Sequence, residues 1–338
     1  MDVVAIVKRA LFALATLLLV LWLVPSPEPQ PPVREDRLAL GTLVTVKLYG
    51  DDEAMTSLFP LAFAQFDLAD SLMSRYRDDS EIAAIERSAG RTVVPSPAVH
   101  HVLERSVHWA RACEGAFDPT IGALTRLWNF PDAAAAPDSA SVDSALALVD
   151  YRALVVNEHG VHLARTGVRL DLGAAAKGYA VDQAVEALRS GGAQSGLIEA
   201  GGDIRYWGEK PDGHLWRFGI QHPRDPNRHF EVEDIGLSAI ATSGDYQQYF
   251  LEDSQRYNHI LDPQSGWPAR RLISATVWAE TAMDADILST AVFVLGAKRG
   301  LELVEQWPRV EALVFTETVG GLESQATSGV QGRFRFVD

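Results

Sequence analysis

Asp286 and Thr290 are the residues whose types and spacing point most directly to metal chemistry. They lie four residues apart in AMDADILSTAVFVLG, residues 282–296, a predicted helix that places both side chains on one face. A carboxylate and a hydroxyl, completed by a backbone carbonyl from another loop, are hard oxygen ligands that suit Mg²⁺. The same pair also fits a structural role, in which the acid complements the helix dipole and the hydroxyl bonds back to its own helix.

A second candidate is the stretch VRLDLGAAAKGYAVDQAVEAL, residues 168–188. Its pattern predicts a short buried strand, a turn of small residues and then a helix. Unpaired N–H groups at the start of that helix, its dipole and the charge of Lys177 predict a seat for a phosphate, with Asp171 as an acceptor on the approach. The alternative is a tight strand–helix corner with Lys177 on a solvated face.

His259 is a third candidate, predicted on a strand just before the Asp-Pro turn of YNHILDPQSGWP. It fits either a buried core histidine or a catalytic one. The small residues of ATSGDYQQYF, residues 241–250, allow close backbone approach to a ligand or form a bare turn. GGDI, residues 201–204, indicates a hairpin turn. The sequence has no GxSxG, P-loop, HExxH or GxGxxG motif, which excludes the commonest hydrolase, kinase, metalloprotease and dinucleotide-binding classes.

The elements that must position these residues alternate between strands and helices without a regular βαβ rhythm. The fold class predicted is therefore α+β, with mixed, largely antiparallel sheets and packed helices. The net charge of −15 argues against nucleic acid as a partner, because its phosphates would repel the chain. The single cysteine, Cys113, excludes an internal disulfide and a thiolate metal cluster.

The N-terminus differs from this globular pattern. Lys8 and Arg9 precede an apolar run at residues 10–24, and no small-x-small cleavage site follows. We expect residues 1–24 to form an uncleaved signal anchor, a transmembrane helix with its N-terminus in the cytoplasm. Residues 25–35, rich in proline, would be a stiff spacer. The domain at 36–338 would then lie on the periplasmic side of the inner membrane.

The order of the motifs resembles the ApbE family, the FAD:protein FMN transferases, over residues 38–315. The motifs are DLGAAAKGYAVD, EAGGDIR, ATSGDYQQYF, NHILDPQSGWP and AMDADILSTAVFVLG, with LGTLVTV, MSRYRDDSEI and GAFDPTIGAL upstream. The resemblance implies an ApbE-like, T-fold-related domain. It also implies an enzyme that binds FAD with Mg²⁺, passes the FMN half to a Thr or Ser hydroxyl of an acceptor protein and releases AMP.

The resemblance further implies roles for particular residues. The Mg²⁺ ligands would be Asp286, Thr290 and the carbonyl of Ala174, and His259 would deprotonate the acceptor hydroxyl. Leu40 stands where family members often carry Met. The residues expected to contact FAD are Leu40, Tyr76, Ala116, Phe117, Asp118, Asp171, Lys177 and Ile260.

The family implies acceptor subunits of membrane electron-transfer complexes of the Rnf or Nqr type as partners. Two other functions remain open from the residues. One is a Mg²⁺-dependent FAD pyrophosphatase that makes free FMN and AMP, because it would need the same metal and differ only in using water. The other is a membrane-anchored module that binds flavin without catalysis.

Overall fold

The computed structural model describes residues 31–130, 132, 135–318 and 320–337. Its strands, in chain order, are β1 Val33–Ala39, β2 Thr42–Tyr49, β3 Thr92–Val93, β4 Leu154–Asn157, β5 Gly160–Leu163, β6 Ser195–Ala200, β7 Asp203–Trp207, β8 Arg217–His222, β9 Asp225–Glu233, β10 Ala239–Gly244, β11 Tyr249–Glu252, β12 Gln255–Asn258, β13 Ser274–Ala279, β14 Glu311–Thr318, β15 Gly321–Ala326 and β16 Phe334–Val337. Eight of them form an antiparallel main sheet in the order β1-β2-β6-β7-β10-β13-β14-β15. Smaller sheets have the orders β16-β9-β8 and β3-β5-β4, and β11 pairs with β12 as a hairpin.

Helices and the smaller sheets cover the main sheet. The helices of the described residues are α1 Asp52–Thr56, α2 Phe59–Met73, α3 Glu81–Arg87, α4 Pro97–Ala112, α5 Gly122–Trp128, α6 Ser139–Leu146, α7 Ala176–Ser190, α8 Ala282–Leu295 and α9 Ala297–Glu305. On one face of the sheet, buried side chains such as Val46 pack against Phe63 of α2 and Val185 of α7. On the other face, Phe315 meets Phe230 of the small sheet, with ring centroids 4.7 Å apart.

The helix α8 lies at the centre of the molecule. Every one of its residues is buried except Thr290, which is half-buried. Its apolar side chains face α4 and α9 on one side and the main sheet and α7 on the other, as expected for a helix that is hydrophobic all round. Any carboxylate on α8 must therefore find a partner inside the protein, because burying an unpaired charge is costly.

The helices α7 and α8 cross at very close range. A Cβ added to Gly178 would lie 2.4 Å from the carbonyl oxygen of Ala282, so only glycine permits this crossing. One turn further along α7, Asp182 accepts hydrogen bonds from the N–H groups of Ala282 and Met283 at 2.8 and 3.0 Å. Arg205 of β7 holds the same carboxylate at 2.7 Å. These contacts fix the start of α8 against α7.

The architecture confirms the predicted α+β class with largely antiparallel sheets, but three local predictions were wrong. The segment 168–172 is not a strand, since its only strand-like pairing is a bridge between Arg169 and Ile121. His259 was predicted on a strand, but β12 ends one residue earlier, at Asn258. Strand β1 begins at Val33, inside the segment predicted as a spacer.

The predicted signal anchor, residues 1–24, lies outside the described residues. Within the part of the chain that the structure describes, no helix combines the length and the apolar character needed to cross a bilayer.

Candidate active site

The centre of the candidate site is a buried cluster of one amine and two carboxylates. Lys177, in the first turn of α7, forms an ion pair with Asp203 at the start of β7 and lies 3.5 Å from Asp286 of α8. The side chains of the two acids are almost completely buried. The N–H of Gly178 adds a long hydrogen bond of 3.4 Å to the Asp286 carboxylate. One of the N–H groups predicted to bind a phosphate therefore faces a carboxylate of the protein itself.

The electrostatics of this cluster favour an additional positive charge. Burial and the neighbouring Asp286 carboxylate raise the pKa of Asp203 well above its usual range. Burial alone would lower the pKa of Lys177, but Asp203 and Asp286 outweigh it, and the pKa is raised. Two carboxylates against one ammonium leave one negative charge uncompensated inside the protein, which a proton or a metal cation would neutralise.

Oxygen donors surround the Asp286 side of the cluster. Thr290 follows one turn after Asp286, and its hydroxyl lies 3.4 Å from that of Ser243 at the end of β10. Ser243 is held in turn by Ser289, at 2.8 Å between hydroxyl oxygens. The Thr290 hydroxyl thus faces the β10 strand, which removes the alternative that it only bonds back to its own helix.

The Ala174 carbonyl oxygen, in the turn that leads into α7, is a further potential ligand for a cation. In a regular helix the N–H of Gly178 would bond to it, but that N–H points to Asp286. The N–H of Ala176 bonds to Leu172 at 2.7 Å. Among the described residues, no group donates a hydrogen bond to the Ala174 carbonyl. It thus remains available as a ligand.

His259 follows β12, at the base of the β11–β12 hairpin. Its backbone N–H and its ring Nδ1 lie 3.0 and 3.3 Å from the Gln248 carbonyl, so Nδ1 carries the proton in this arrangement. Burial, together with the nearby Lys177 ammonium, lowers the pKa of His259. The ring is therefore neutral at pH 7 and its Nε2 can accept a proton.

Asp171 connects the turn before α7 to the loop after α2. It accepts hydrogen bonds from the Thr125 hydroxyl at 2.6 Å and from the N–H of Gly173 at 2.9 Å, and it pairs with Arg75 at 3.2 Å. The Arg75 guanidinium also lies 4.3 Å from the centre of the Tyr76 ring. Tyr76 itself is 69% exposed, so the ring face opposite Arg75 can stack on a ligand.

The predicted flavin contacts Ala116, Phe117, Asp118 and Ile260 differ from Tyr76 in that their side chains are buried. Ala116, Phe117 and Ile260 have buried side chains in one core cluster, so only their backbones can face a ligand. The Asp118 carboxylate is buried and accepts three hydrogen bonds from Thr120 and Tyr151, and burial raises its pKa. This side chain holds the loop together, and a contact between it and FAD stays a prediction.

Leu40 lies in the β1–β2 turn with φ 48°, a left-handed conformation that a leucine rarely adopts. It packs beside the cluster of sheet residues that includes Ala200 and Ala241. Its neighbour Thr42 touches Gly201, in the turn that precedes Asp203. Leu40 therefore belongs to the same rim of the sheet as the cluster, and its contact with FAD stays a prediction.

Comparison with known proteins settles the family. The model of the ApbE family matches residues 40–314. The chain belongs to the ApbE family. The FAD:protein FMN transferase of Treponema pallidum is 33% identical over 323 residues, which cover 89% of this chain and 88% of that protein. The FAD:protein FMN transferase of Vibrio cholerae is 34% identical over 264 residues, covering 76% and 78% of the two chains.

Solved structures of ApbE proteins share the fold. The ApbE protein of Thermotoga maritima superimposes with a TM-score of 0.81 at 30% identity, covering 90% of this chain and 99% of that chain. The flavin transferase ApbE of Vibrio cholerae gives a TM-score of 0.78 at 28% identity, covering 89% and 98%. These matches confirm the resemblance and the enzyme class predicted from it, FAD:protein FMN transferase.

Sequence reasoning missed several residues of this ApbE site. Asp203 was interpreted only as part of a hairpin turn, although an acid directly after two glycines at the start of a strand is an available signal. Ser243 was noted as a small residue but not as a partner of Thr290. Arg75 and Thr125 were not singled out, because only the fold brings them to Asp171.

Proposed function

We propose that this protein binds FAD with Mg²⁺ and transfers the FMN half to a Thr or Ser hydroxyl of an acceptor protein, releasing AMP. The observation that carries the proposal is the buried cluster of Lys177, Asp203 and Asp286, which has one excess negative charge beside free oxygen donors. A neutral histidine with a free ring nitrogen lies within electrostatic range of the same lysine. A cation site and a base are thus combined in one place.

The residues present fit Mg²⁺. Asp286, Thr290 and the Ala174 carbonyl supply hard oxygen ligands, with Asp203 adding negative charge. No group of three or more His, Cys, Asp or Glu side chains suited to a metal occurs in the described part of the chain. This agrees with Mg²⁺, which takes one or two carboxylates and leaves other positions for water and substrate phosphates. When bound, Mg²⁺ would neutralise charge on the FAD pyrophosphate.

The protein's own residues then position the reactants. Lys177 adds positive charge beside the pyrophosphate, and Asp171 fixes the turn at Gly173 against the loop that carries Tyr76. His259 accepts the proton of the acceptor hydroxyl at Nε2. The hydroxyl oxygen bonds to the FMN phosphorus, and the bond from that phosphorus to the AMP oxygen breaks. Phosphoryl transfer of this kind depends mainly on positioning and charge stabilisation.

The proposal extends to cellular context. The apolar run at residues 10–24, preceded by Lys8 and Arg9, supports an anchor in the inner membrane with the enzyme on the periplasmic side. That location would place it beside its proposed acceptors, flavoprotein subunits of Rnf- or Nqr-type redox complexes. Both statements rest on the sequence pattern and on the family resemblance.

One experiment tests the reaction itself. The full chain in mild detergent is incubated with FAD and Mg²⁺, with and without a peptide that contains a Ser/Thr-Gly-Ala-Thr/Ser site, and the products are identified by mass. We expect an FMN-labelled peptide and AMP in equal amounts, and no product with Asp286→Ala, because the pyrophosphate charge would go unneutralised. Free FMN without peptide would instead support the pyrophosphatase, and binding of FAD without any product would support the non-catalytic module.

A further inference from the structure

A cleft of about 380 Å³ opens along β12, the strand that ends at Asn258, directly before His259. One wall is β12 and the other is the segment 267–271, which follows the Asp-Pro turn. The side chains that define the walls are those of Gln255, Tyr257, Asp262, Trp267, Arg270 and Arg271.

Two features connect the walls of the cleft with residues next to the proposed reaction centre. The wall segment is bonded to the residue after His259, since the N–H of Ala269 donates to the Ile260 carbonyl at 2.8 Å. The base of the cleft is Val294 of α8, four residues after Thr290 and on the same helix face. At a rise of about 1.5 Å per residue, Val294 lies about 6 Å along the helix from Thr290.

Arg270 and Arg271 give this cleft a charge that is unusual in so acidic a protein. Within the described residues neither guanidinium has a carboxylate within 4 Å, whereas most arginines of the structure are ion-paired. Arg271 donates to the Leu295 carbonyl at 3.3 Å, and its Cβ packs where a side chain on Gly296 would stand. Arg270 lies 5.0 Å from the centre of the Tyr257 ring, and both terminal nitrogens of its guanidinium donate to the side-chain amide oxygen of Gln255. Both charges are therefore held in place by neutral groups, and no carboxylate of the described residues compensates them.

The only carboxylate in the walls is that of Asp262. One of its oxygens accepts a hydrogen bond of 2.8 Å from the N–H of Gln264, which stabilises the turn. Two arginines against one acid leave the cleft positive. Its chemistry suits an acidic ligand, because arginine binds carboxylates through several parallel hydrogen bonds.

We propose that this cleft receives an extended acidic segment of the acceptor protein, with a carboxylate side chain on Arg270 and Arg271. The inference rests on the flavin-transfer function proposed above. The segment runs along β12 toward His259, so the carboxylate fixes the register in which the acceptor hydroxyl reaches the base. Charge complementarity supports an acidic acceptor segment rather than a neutral one, because Arg270 and Arg271 outnumber the one acid of the cleft and would attract a carboxylate there, although the chain as a whole carries a net charge of −15.

The test uses two acceptor peptides that differ only in charge. Both contain the Ser/Thr-Gly-Ala-Thr/Ser site, and one carries two Asp residues beside it where the other carries Asn. The full chain, with FAD and Mg²⁺, should show a KM for the Asp peptide about tenfold below that for the Asn peptide. The double variant Arg270→Ala/Arg271→Ala should lose this preference while its KM for FAD stays unchanged.

Two controls separate charge from folding. The variant Arg165→Ala/Arg189→Ala removes the same charge from exposed positions elsewhere and should keep the preference. The variant Arg270→Glu/Arg271→Glu should prefer a peptide with Lys in place of Asp, which a misfolded protein could not do. Thermal melting of each variant checks that the fold is retained.

Three results would overturn the inference. The first is equal KM values of the native chain for the two peptides, and the second is an unchanged preference in the double alanine variant. The third is a KM for FAD that rises in the double alanine variant as much as its KM for the peptide. The last would assign the cleft to the flavin. If the native chain labels neither peptide, the flavin-transfer proposal fails instead. In that case, binding of a fluorescent Asp peptide is measured by anisotropy without FAD. Tighter binding to the native chain than to the double alanine variant would support the cleft as a peptide site, and equal binding would rule it out.

Discussion

Replacing Asp203 with Asn tests whether the cluster is built to hold an excess negative charge. In the native protein Lys177 is shared between Asp203 and Asp286, and the second contact is 3.5 Å. With an amide at position 203, the whole charge of Lys177 falls on Asp286. The cluster then becomes neutral and attracts Mg²⁺ less.

The size of the effect follows from Coulomb's law. Two unit charges about 4 Å apart interact by about 4 kcal/mol at an effective dielectric constant of about 20. Lys177 keeps a side-chain exposure of 20%, so water screens part of this. We therefore expect the Mg²⁺ affinity in the presence of FAD to fall about 10- to 100-fold, equivalent to about 1.4–2.7 kcal/mol.

Stability should respond differently from affinity. The raised pKa of Asp203 means that its ionised form opposes folding at pH 7, since an acid with a raised pKa stabilises the fold at low pH and loses that contribution as pH rises. The amide removes this cost and also the ion pair with Lys177, and because the two effects oppose each other the melting temperature should change little. As a control, Asp284→Asn breaks the contacts of a buried acid to Arg105 and Trp109 and should lower the melting temperature instead.

Calorimetric titration with Mg²⁺ and thermal melts measure both quantities. A native-like Mg²⁺ affinity in the Asp203→Asn protein would refute the charge argument, whatever its melting temperature.

The other predictions concern helix packing and the base. Gly178→Ala should lower the free energy of unfolding by about 2–3 kcal/mol, because its Cβ would collide with the Ala282 carbonyl. Gly320→Ala, whose Cβ would make only an ordinary contact at 3.6 Å, should leave the free energy of unfolding unchanged. Equal melting temperatures of the two variants would contradict the close crossing of α7 and α8. His259→Ala should lower kcat for transfer at least 100-fold and leave the Kd for FAD nearly unchanged, and equal losses in both would make it structural. Since the pKa of His259 is lowered from 6.5, the transfer rate should persist below pH 6.5 and fall only at more acidic pH. A pH–rate profile of the transfer reaction measures this.

The parts of the site that the sequence could predict are those that depend on local spacing. Asp286 and Thr290 share a face because helical periodicity alone places residues four apart together. Lys177 follows a run of small residues, which marks the turn before a helix. The family resemblance added Ala174 and the role of His259 as a base through the order of motifs, and the fold brings Ala174 into the turn beside the cluster.

The parts that it could not predict depend on contacts between distant segments. Asp203 lies 26 positions after Lys177, and only the β6–β7 turn beside the start of α7 makes them a pair. The segment 168–172 has alternating burial but no neighbouring strand, so alternation alone was misleading. The Asp118 carboxylate accepts hydrogen bonds from Thr120 and from Tyr151, which the sequence did not indicate, and its contact with FAD stays a prediction.

The two acids of α8 show how the chain separates structure from chemistry. Asp284 and Asp286 are two residues apart on a buried helix, so they point to different neighbours. The Asp284 carboxylate accepts hydrogen bonds from the Arg105 guanidinium and the Trp109 ring N–H, which lower its pKa despite burial, and Arg105 balances its charge. Asp286 receives only a share of Lys177, because Asp203 holds the same amine more closely. The protein therefore compensates one buried acid and leaves the other short of positive charge, and it does so beside the only residue of α8 that is not fully buried, Thr290.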